Sequence, residues 1–95
     1  MHAAALAIDL HLVQPDIRSL KAKRAVVKPV VEGCRRRFGV SVAEVGHQEL
    51  WQRAEIGVAV VASSHRQLVD VLDAVERFVW SFPEVEVVSC ERTWI

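Results

Sequence analysis

Four cations are spaced along one predicted helix so that their side chains lie on the same side. Lys21, Arg24, Lys28 and Arg35 occupy positions i, i+3, i+7 and i+14, within about 60° of one another on an ideal helix. A rigid row of cations neutralises several phosphates of a nucleic acid at once, and arginine adds planar donors for phosphate oxygens. Together with the flanking Arg36, this basic stripe predicts an RNA- or phosphate-binding face.

Charge is divided unevenly along the chain, although the formal net charge is zero. Residues 1–39 carry eight basic and three acidic residues, a net of +5, and residues 40–95 carry four and nine, a net of −5. Such asymmetry favours a basic surface on a neutral protein. The alternative is that the two parts neutralise each other in the fold, which makes the stripe an ordinary solvated helix face.

A second candidate surface lies on two predicted strands, where His11, Trp51 and Arg53 share the side of the sheet away from the helices. RNA-recognition modules of related topology stack bases on aromatic side chains of these strands. The chain lacks the aromatic-rich motif of those modules, so packing of Trp51 against a neighbour or a second copy is the favoured interpretation. The three residues therefore predict an interaction surface on the sheet.

Residue types that could support catalysis show no specific pattern. His47 and Glu49 have the H-x-E spacing of zinc deaminases, but no P-C-x-x-C follows. The remaining histidines and the two cysteines show no paired ligand spacing. We therefore expect no enzymatic activity, no bound metal and no cofactor. A substrate cleft near Glu44, His47 and Arg53 is the least supported alternative.

Hydrophobic periodicity predicts six elements in the order strand, helix, strand, strand, helix, strand. Alternation with period 2 indicates the strands, and a period of about 3.6 residues indicates the helices. The predicted strands are 4–13, 40–45, 51–62 and 85–93, and the predicted helices are 20–38 and 65–82. Two split βαβ units of this kind build a ferredoxin-like α+β sandwich, a four-stranded antiparallel sheet with both helices on one face. We expect one domain over residues 1–95.

The helix that carries the basic stripe has clear end signals and one disruptive residue. Ser19 is a typical N-cap and Gly39 a typical terminator. Pro29 removes one helical hydrogen bond, so it predicts a bend. Its position away from the apolar side makes a bend around the core tolerable. Two shorter helices are the alternative.

Two stretches of the chain resemble a known family. One is Ser-Leu-Lys-Ala-Lys-Arg at 19–24; the other is Val-Ser-Val-Ala-Glu-Val at 40–45, continued by Leu-Trp-Gln-Arg-Ala at 50–54 and Ile-Gly at 56–57. In order and spacing they resemble the YlxP-like family of small bacterial proteins of unknown function. The resemblance implies a ferredoxin-like fold. Genes of the family commonly neighbour those for an initiation factor and a small-subunit maturation factor, which implies a role in translation or ribosome assembly. It implies no catalytic residues.

These features together predict a non-enzymatic factor that binds ribosomal RNA or a ribosomal subunit through its first helix. We expect it in the cytoplasm, because the apolar start lacks a basic region before Asp9 interrupts it. Two cysteines without a pairing pattern fit a reducing compartment, and no apolar run reaches the roughly 18 residues that span a bilayer. The alternative is a homo-oligomeric interaction or regulatory module, such as a dimer, that buries its open sheet face.

Overall fold

The computed structural model describes all 95 residues and contains the six predicted elements in the predicted order. They are β1 (His2–Leu12), α1 (Leu20–Phe38), β2 (Ser41–Gly46), β3 (Arg53–Ala62), α2 (His65–Trp80) and β4 (Val85–Trp94). The strands form one antiparallel sheet in the order β2-β3-β1-β4. Both helices pack on the same face, so the predicted ferredoxin-like sandwich is confirmed.

The core lies between the helix layer and one face of the sheet. Every second residue of the two central strands is buried, beginning with Ala4 in β1 and Ala54 in β3. The helices contribute apolar stripes at helical spacing, as predicted. The buried apolar residues of the helices are Val27, Val30 and Cys34 from α1 and Leu68, Leu72, Val75 and Val79 from α2. The opposite face of the sheet has no layer upon it.

Helix α1 is one continuous helix. The Ser19 hydroxyl accepts a hydrogen bond from the Ala22 backbone N–H at 3.0 Å. At the other end Gly39 adopts a left-handed conformation (φ 64°), and its N–H donates to the Arg35 carbonyl. Pro29 lies inside the helix on its exposed side, where neighbouring water can solvate the carbonyl that loses its donor. The alternative of two shorter helices is therefore wrong, and the basic stripe keeps one register.

Helix α2 is capped by Ser64, whose hydroxyl accepts a hydrogen bond from the Gln67 backbone N–H. The helix ends at Trp80, two residues earlier than predicted, because the Ser81 hydroxyl and N–H both bond the Phe78 carbonyl. Neither α1 nor α2 combines the length and the apolar composition that a membrane-spanning segment requires.

The two helices cross at a glycine. A Cβ added at Gly33 of α1 would lie 2.6 Å from the Phe78 ring of α2, so a larger residue at this position would displace that ring. On the far side of α2, Arg92 of β4 bonds Asp73 and Glu76. Hydrogen bonding to both carboxylates raises the pKa of Arg92 further. These contacts hold α2 against the sheet.

Candidate nucleic-acid interface

The basic stripe lies on the solvent side of α1. Lys21, Arg24, Lys28 and Arg36 are exposed, and none of them takes part in the six ion-pair contacts of the structure. Four unpaired cations on one helix therefore face solvent together. We refer to these four residues as the free basic face.

Arg35, the remaining residue of the predicted set, is engaged within the protein. One guanidinium nitrogen pairs with Glu32, and the other donates a hydrogen bond to the Val42 carbonyl at 2.8 Å. The side chain thus ties the last turns of α1 to β2. A guanidinium held in this way has fewer donors to offer to a phosphate.

The acidic part of the chain does not neutralise the free basic face. The only ion pair between an α1 cation and an acid of residues 40–95 joins Lys23 to Glu44. Arg24 shares a shallow depression with Glu44 and Glu49 without pairing with either. Arg24 and Lys28 also share a second depression with Glu32 and Glu44, so these acids lower the positive potential along this part of the face.

Lys23 lies between two residues of the free basic face and points the opposite way. Its side chain is 2% exposed. The ammonium Nζ lies 2.8 Å from Oε2 of Glu44 and donates to the His47 carbonyl at 2.7 Å. Burial of a lysine is tolerated when its charge is paired and hydrogen-bonded; here Glu44 pairs the charge and the His47 carbonyl accepts one hydrogen bond.

Lys23 is absent from the predicted set of site residues, although two patterns indicated it. Lys23 has the same helical phase as Val27, Val30 and Cys34. Alternation along β2 also places Glu44 on the same face as the buried Val42. The helical and strand periodicities therefore predict that Lys23 and Glu44, which have opposite charges, both face the core.

The network continues around the end of the sheet through His47. His47 has a left-handed backbone (φ 58°), which is uncommon for a residue with a side chain. Its carbonyl accepts from Lys23 on the helix side, and its ring Nε2 lies 3.2 Å from Oδ1 of Asp9 on the open face. The other carboxylate oxygen of Asp9 accepts from Arg53 at 2.5 Å.

Of the predicted cleft residues, His47 and Arg53 meet at Asp9 on the open face, whereas Glu44 pairs with Lys23 on the helix side, so the three do not line one cleft. Oδ1 of Asp9, Oε2 of Glu44 and Nε of Arg53 take part in no aligned hydrogen bond, whereas Lys23 donates to the His47 carbonyl and Arg53 to Oδ2 of Asp9. No group of three or more His, Cys, Asp or Glu side chains lies close enough together to hold a metal ion. The arrangement fixes the β2–β3 loop.

The predicted sheet-face residues do not all lie on the sheet. His11 and Arg53 are cross-strand partners on the open face, as expected. Trp51 lies in the β2–β3 loop and is 49% exposed, so its predicted position on the third strand is wrong. Within the loop the Leu50 N–H donates to the His47 carbonyl, and the N–H of Leu12, the last residue of β1, donates to the Gln52 carbonyl.

Both thiols are held in their protonated form. Burial raises the pKa of Cys34 to about 11. Burial and a hydrogen bond with Glu76 raise the pKa of Cys90 to about 12. Because the thiolate is the nucleophile, we expect a disulfide reagent at pH 8 to modify the native protein about 100-fold more slowly than the urea-unfolded protein.

The same shifts affect stability at alkaline pH. The unfolded chain releases its thiol protons near pH 9, before the native state does, so stability falls as the pH rises from about 9 toward 12.

The rate of thiol modification is measured from the absorbance of the chromophore that the disulfide reagent releases. Equal rates in native and unfolded protein would contradict the burial argument.

The fold and the site define a ferredoxin-like α+β sandwich with one exposed basic helix face. The chain belongs to the family described as "Protein of unknown function (DUF503)", whose model matches residues 4–92. It is 42% identical over 79 residues to the uncharacterized protein YlxP of Bacillus subtilis (strain 168). The matched residues make up 83% of this chain and 86% of the relative. The resemblance to the YlxP-like family is therefore confirmed.

A solved structure shows the same architecture without close sequence similarity. It is the solution NMR structure of a de novo designed protein with a ferredoxin fold, similar with a TM-score of 0.60 and 11% identity. The superposition covers 99% of this chain and 85% of the designed one. At this identity the likeness concerns the fold alone.

Proposed function

We propose that this protein is a non-enzymatic factor that binds ribosomal RNA, alone or within a ribosomal subunit, through the free basic face of α1. The observation that supports this most directly is the exposure of Lys21, Arg24, Lys28 and Arg36 without ion-pair partners. The part of the proposal that concerns translation or ribosome maturation rests on the family resemblance.

The length of the free basic face suits a polyanion. From Lys21 to Arg36 the helix rises about 22 Å, a distance along which a nucleic-acid strand presents several phosphates. Because α1 is continuous through Pro29, the four cations keep fixed spacing, and less entropy is lost on binding than with a flexible basic tail.

The uneven charge distribution favours one orientation of the protein on a bound RNA. The formal net charge is zero, so the protein as a whole is not drawn to polyanions. A positive face on a neutral molecule directs an RNA toward α1 and away from the acidic second part of the chain. This favours a defined binding mode over general coating of nucleic acid.

Cosedimentation of the purified protein with ribosomal subunits at two salt concentrations tests the proposal. Four phosphate contacts give a slope of about −3 in log K against log salt, so the association constant should fall roughly 50-fold between 50 and 200 mM. Absence of binding at 50 mM, or binding that does not respond to salt, would contradict the proposal.

A further inference from the structure

The two edge strands of the sheet are β2 and β4, and side chains bond the backbone of only one of them. On β2 the Arg35 guanidinium donates to the Val42 carbonyl at 2.8 Å. The Gln48 amide donates to the Glu44 carbonyl at 3.4 Å. Because these carbonyls belong to alternate residues, both point to the same side, away from β3. No side chain bonds a backbone group of β4, so β4 is the open edge of the sheet.

The register of β4 identifies which of its backbone groups are unpaired. The Ile95 N–H donates to the Ala3 carbonyl, and in an antiparallel pair the hydrogen-bonded positions alternate. From Ser89 onward the pairing with β1 is regular, because the one shift in the register lies before that residue. Within this stretch the N–H and C=O groups that point away from β1 therefore belong to Cys90, Arg92 and Trp94.

A row of unpaired donors and acceptors at alternate residues matches the main chain of an extended peptide. Such a peptide joins a sheet edge as an additional strand through backbone hydrogen bonds. Helix α2 packs on one face of β4, but no element lies beyond its outer edge, since β4 is last in the sheet order. The edge is therefore accessible to a strand without rearrangement of the fold.

The side chains of β4 favour a basic peptide. Glu86 and Glu91 lie on the open face of the sheet, are exposed and form no ion pair. Arg92, the one cation of the strand, lies on the helix face and is bound by Asp73 and Glu76. A lysine or arginine on the open face of an added strand would thus lie beside an unpaired carboxylate.

The same charges disfavour pairing of β4 with a second copy of this chain. In the antiparallel register that pairs all of residues 89–95, Arg92 would lie opposite its own counterpart. In a neighbouring register Glu91 would lie opposite its own counterpart. Like charges directly opposite each other destabilise a sheet, so a strand of different sequence fits the edge better.

We infer that β4 is a docking site for an extended basic segment of another protein, which joins the sheet as an added strand. Backbone hydrogen bonds to Cys90, Arg92 and Trp94 supply affinity. Glu86 and Glu91 select basic side chains at alternate positions of the segment. The site lies at the opposite edge of the sheet from β2, against which α1 packs. The inference therefore goes beyond the RNA-binding proposal and does not depend on it.

Amide hydrogen exchange of the full chain, followed by NMR without RNA, tests the inference. The probe is a synthetic peptide that alternates lysine and valine and has the length of β4. It should bind with a dissociation constant below about 1 mM and slow exchange of the Cys90, Arg92 and Trp94 amides at least about 10-fold. The amides of Glu91 and Thr93 already bond β1 in the free protein, so their exchange should change less.

Two control peptides and a pair of variants separate strand addition from general attraction. A peptide that alternates glutamate and valine, and the lysine peptide with methylated backbone nitrogens, should each bind at least about 10-fold more weakly. Glu91→Lys should weaken binding of the unmethylated lysine peptide about 10-fold. Glu49→Lys is the matched control, because Glu49 is also exposed and unpaired but lies in the β2–β3 loop; it should leave binding unchanged.

No binding of the lysine peptide at about 1 mM, or slowed exchange only outside β4, would overturn the inference. Equal binding of either control peptide, or equal effects of the two variants, would also overturn it. Protection of the same three amides that rises with protein concentration, without peptide, would place a second copy on the edge and refute the assignment. Each of these results would leave the RNA-binding proposal standing, so the two failures are distinguishable.

Discussion

Lys23→Ala is expected to lower the melting temperature by about 15 °C, the largest effect on stability that we expect from a single substitution in α1. Removing one partner of a buried ion pair costs about 3–5 kcal/mol. Glu44 keeps 24% of its side-chain surface in solvent, so we expect a cost of about 2–3 kcal/mol. For a domain of this size each kcal/mol corresponds to roughly 4–8 °C.

Lys21→Ala is the control, because Lys21 is also a lysine, lies two positions before Lys23 and is exposed. It should change the melting temperature by less than about 2 °C. Replacing both charges, with Lys23→Met and Glu44→Leu, should recover more than half of the loss, since no unpaired charge remains. Thermal unfolding followed by circular dichroism measures all three. Equal effects of Lys23→Ala and Lys21→Ala would refute the buried pair.

The double variant Lys21→Glu with Lys28→Glu is expected to lower the affinity for ribosomal RNA at least about 100-fold at low salt. Each substitution removes one phosphate contact and places a carboxylate beside the polyanion. Both residues are exposed and unpaired, so the melting temperature should stay within about 3 °C of the unmodified protein. Cosedimentation with ribosomal subunits and a filter-binding assay with the isolated RNA measure the loss.

The matched control is Arg66→Glu with Arg77→Glu. Both arginines lie on α2, are exposed and take part in no ion pair, and the change in net charge is the same. If the free basic face is the binding site, the α2 variant retains most of its affinity, because only bulk charge has changed. Equal losses in both variants would mean that the protein binds RNA through its general charge, and our assignment of the site to α1 would then fail.

Local patterns predicted the elements well because they arise from short-range physics. Ser19 and Gly39 mark the ends of α1 by satisfying its terminal backbone groups, which needs no distant partner. The alternation of β1 follows from a strand with one buried face. Pro29 was harder to interpret, since whether a proline bends or divides a helix depends on the packing around it.

The β2–β3 loop was predicted least well. Trp51 continues the alternation of β3 in the sequence, yet it lies outside the strand. His47 holds a left-handed backbone because Lys23 binds its carbonyl and Asp9 pairs with its ring. These contacts come from residues more than 20 positions away in the chain, so no local window contains them.

The amino-acid sequence by itself determined the order of the six elements, the ferredoxin-like arrangement and the helical spacing of the basic residues. Periodicity and end signals act over a few residues, so they can be read along the chain. Only the tertiary structure decided which cations are free. Lys21 and Lys23 differ in nothing but helical phase, and Arg35 has the phase of the stripe. Glu44 and the Val42 carbonyl engage Lys23 and Arg35 because β2 packs beside α1, and that proximity arises from burial of the shared core.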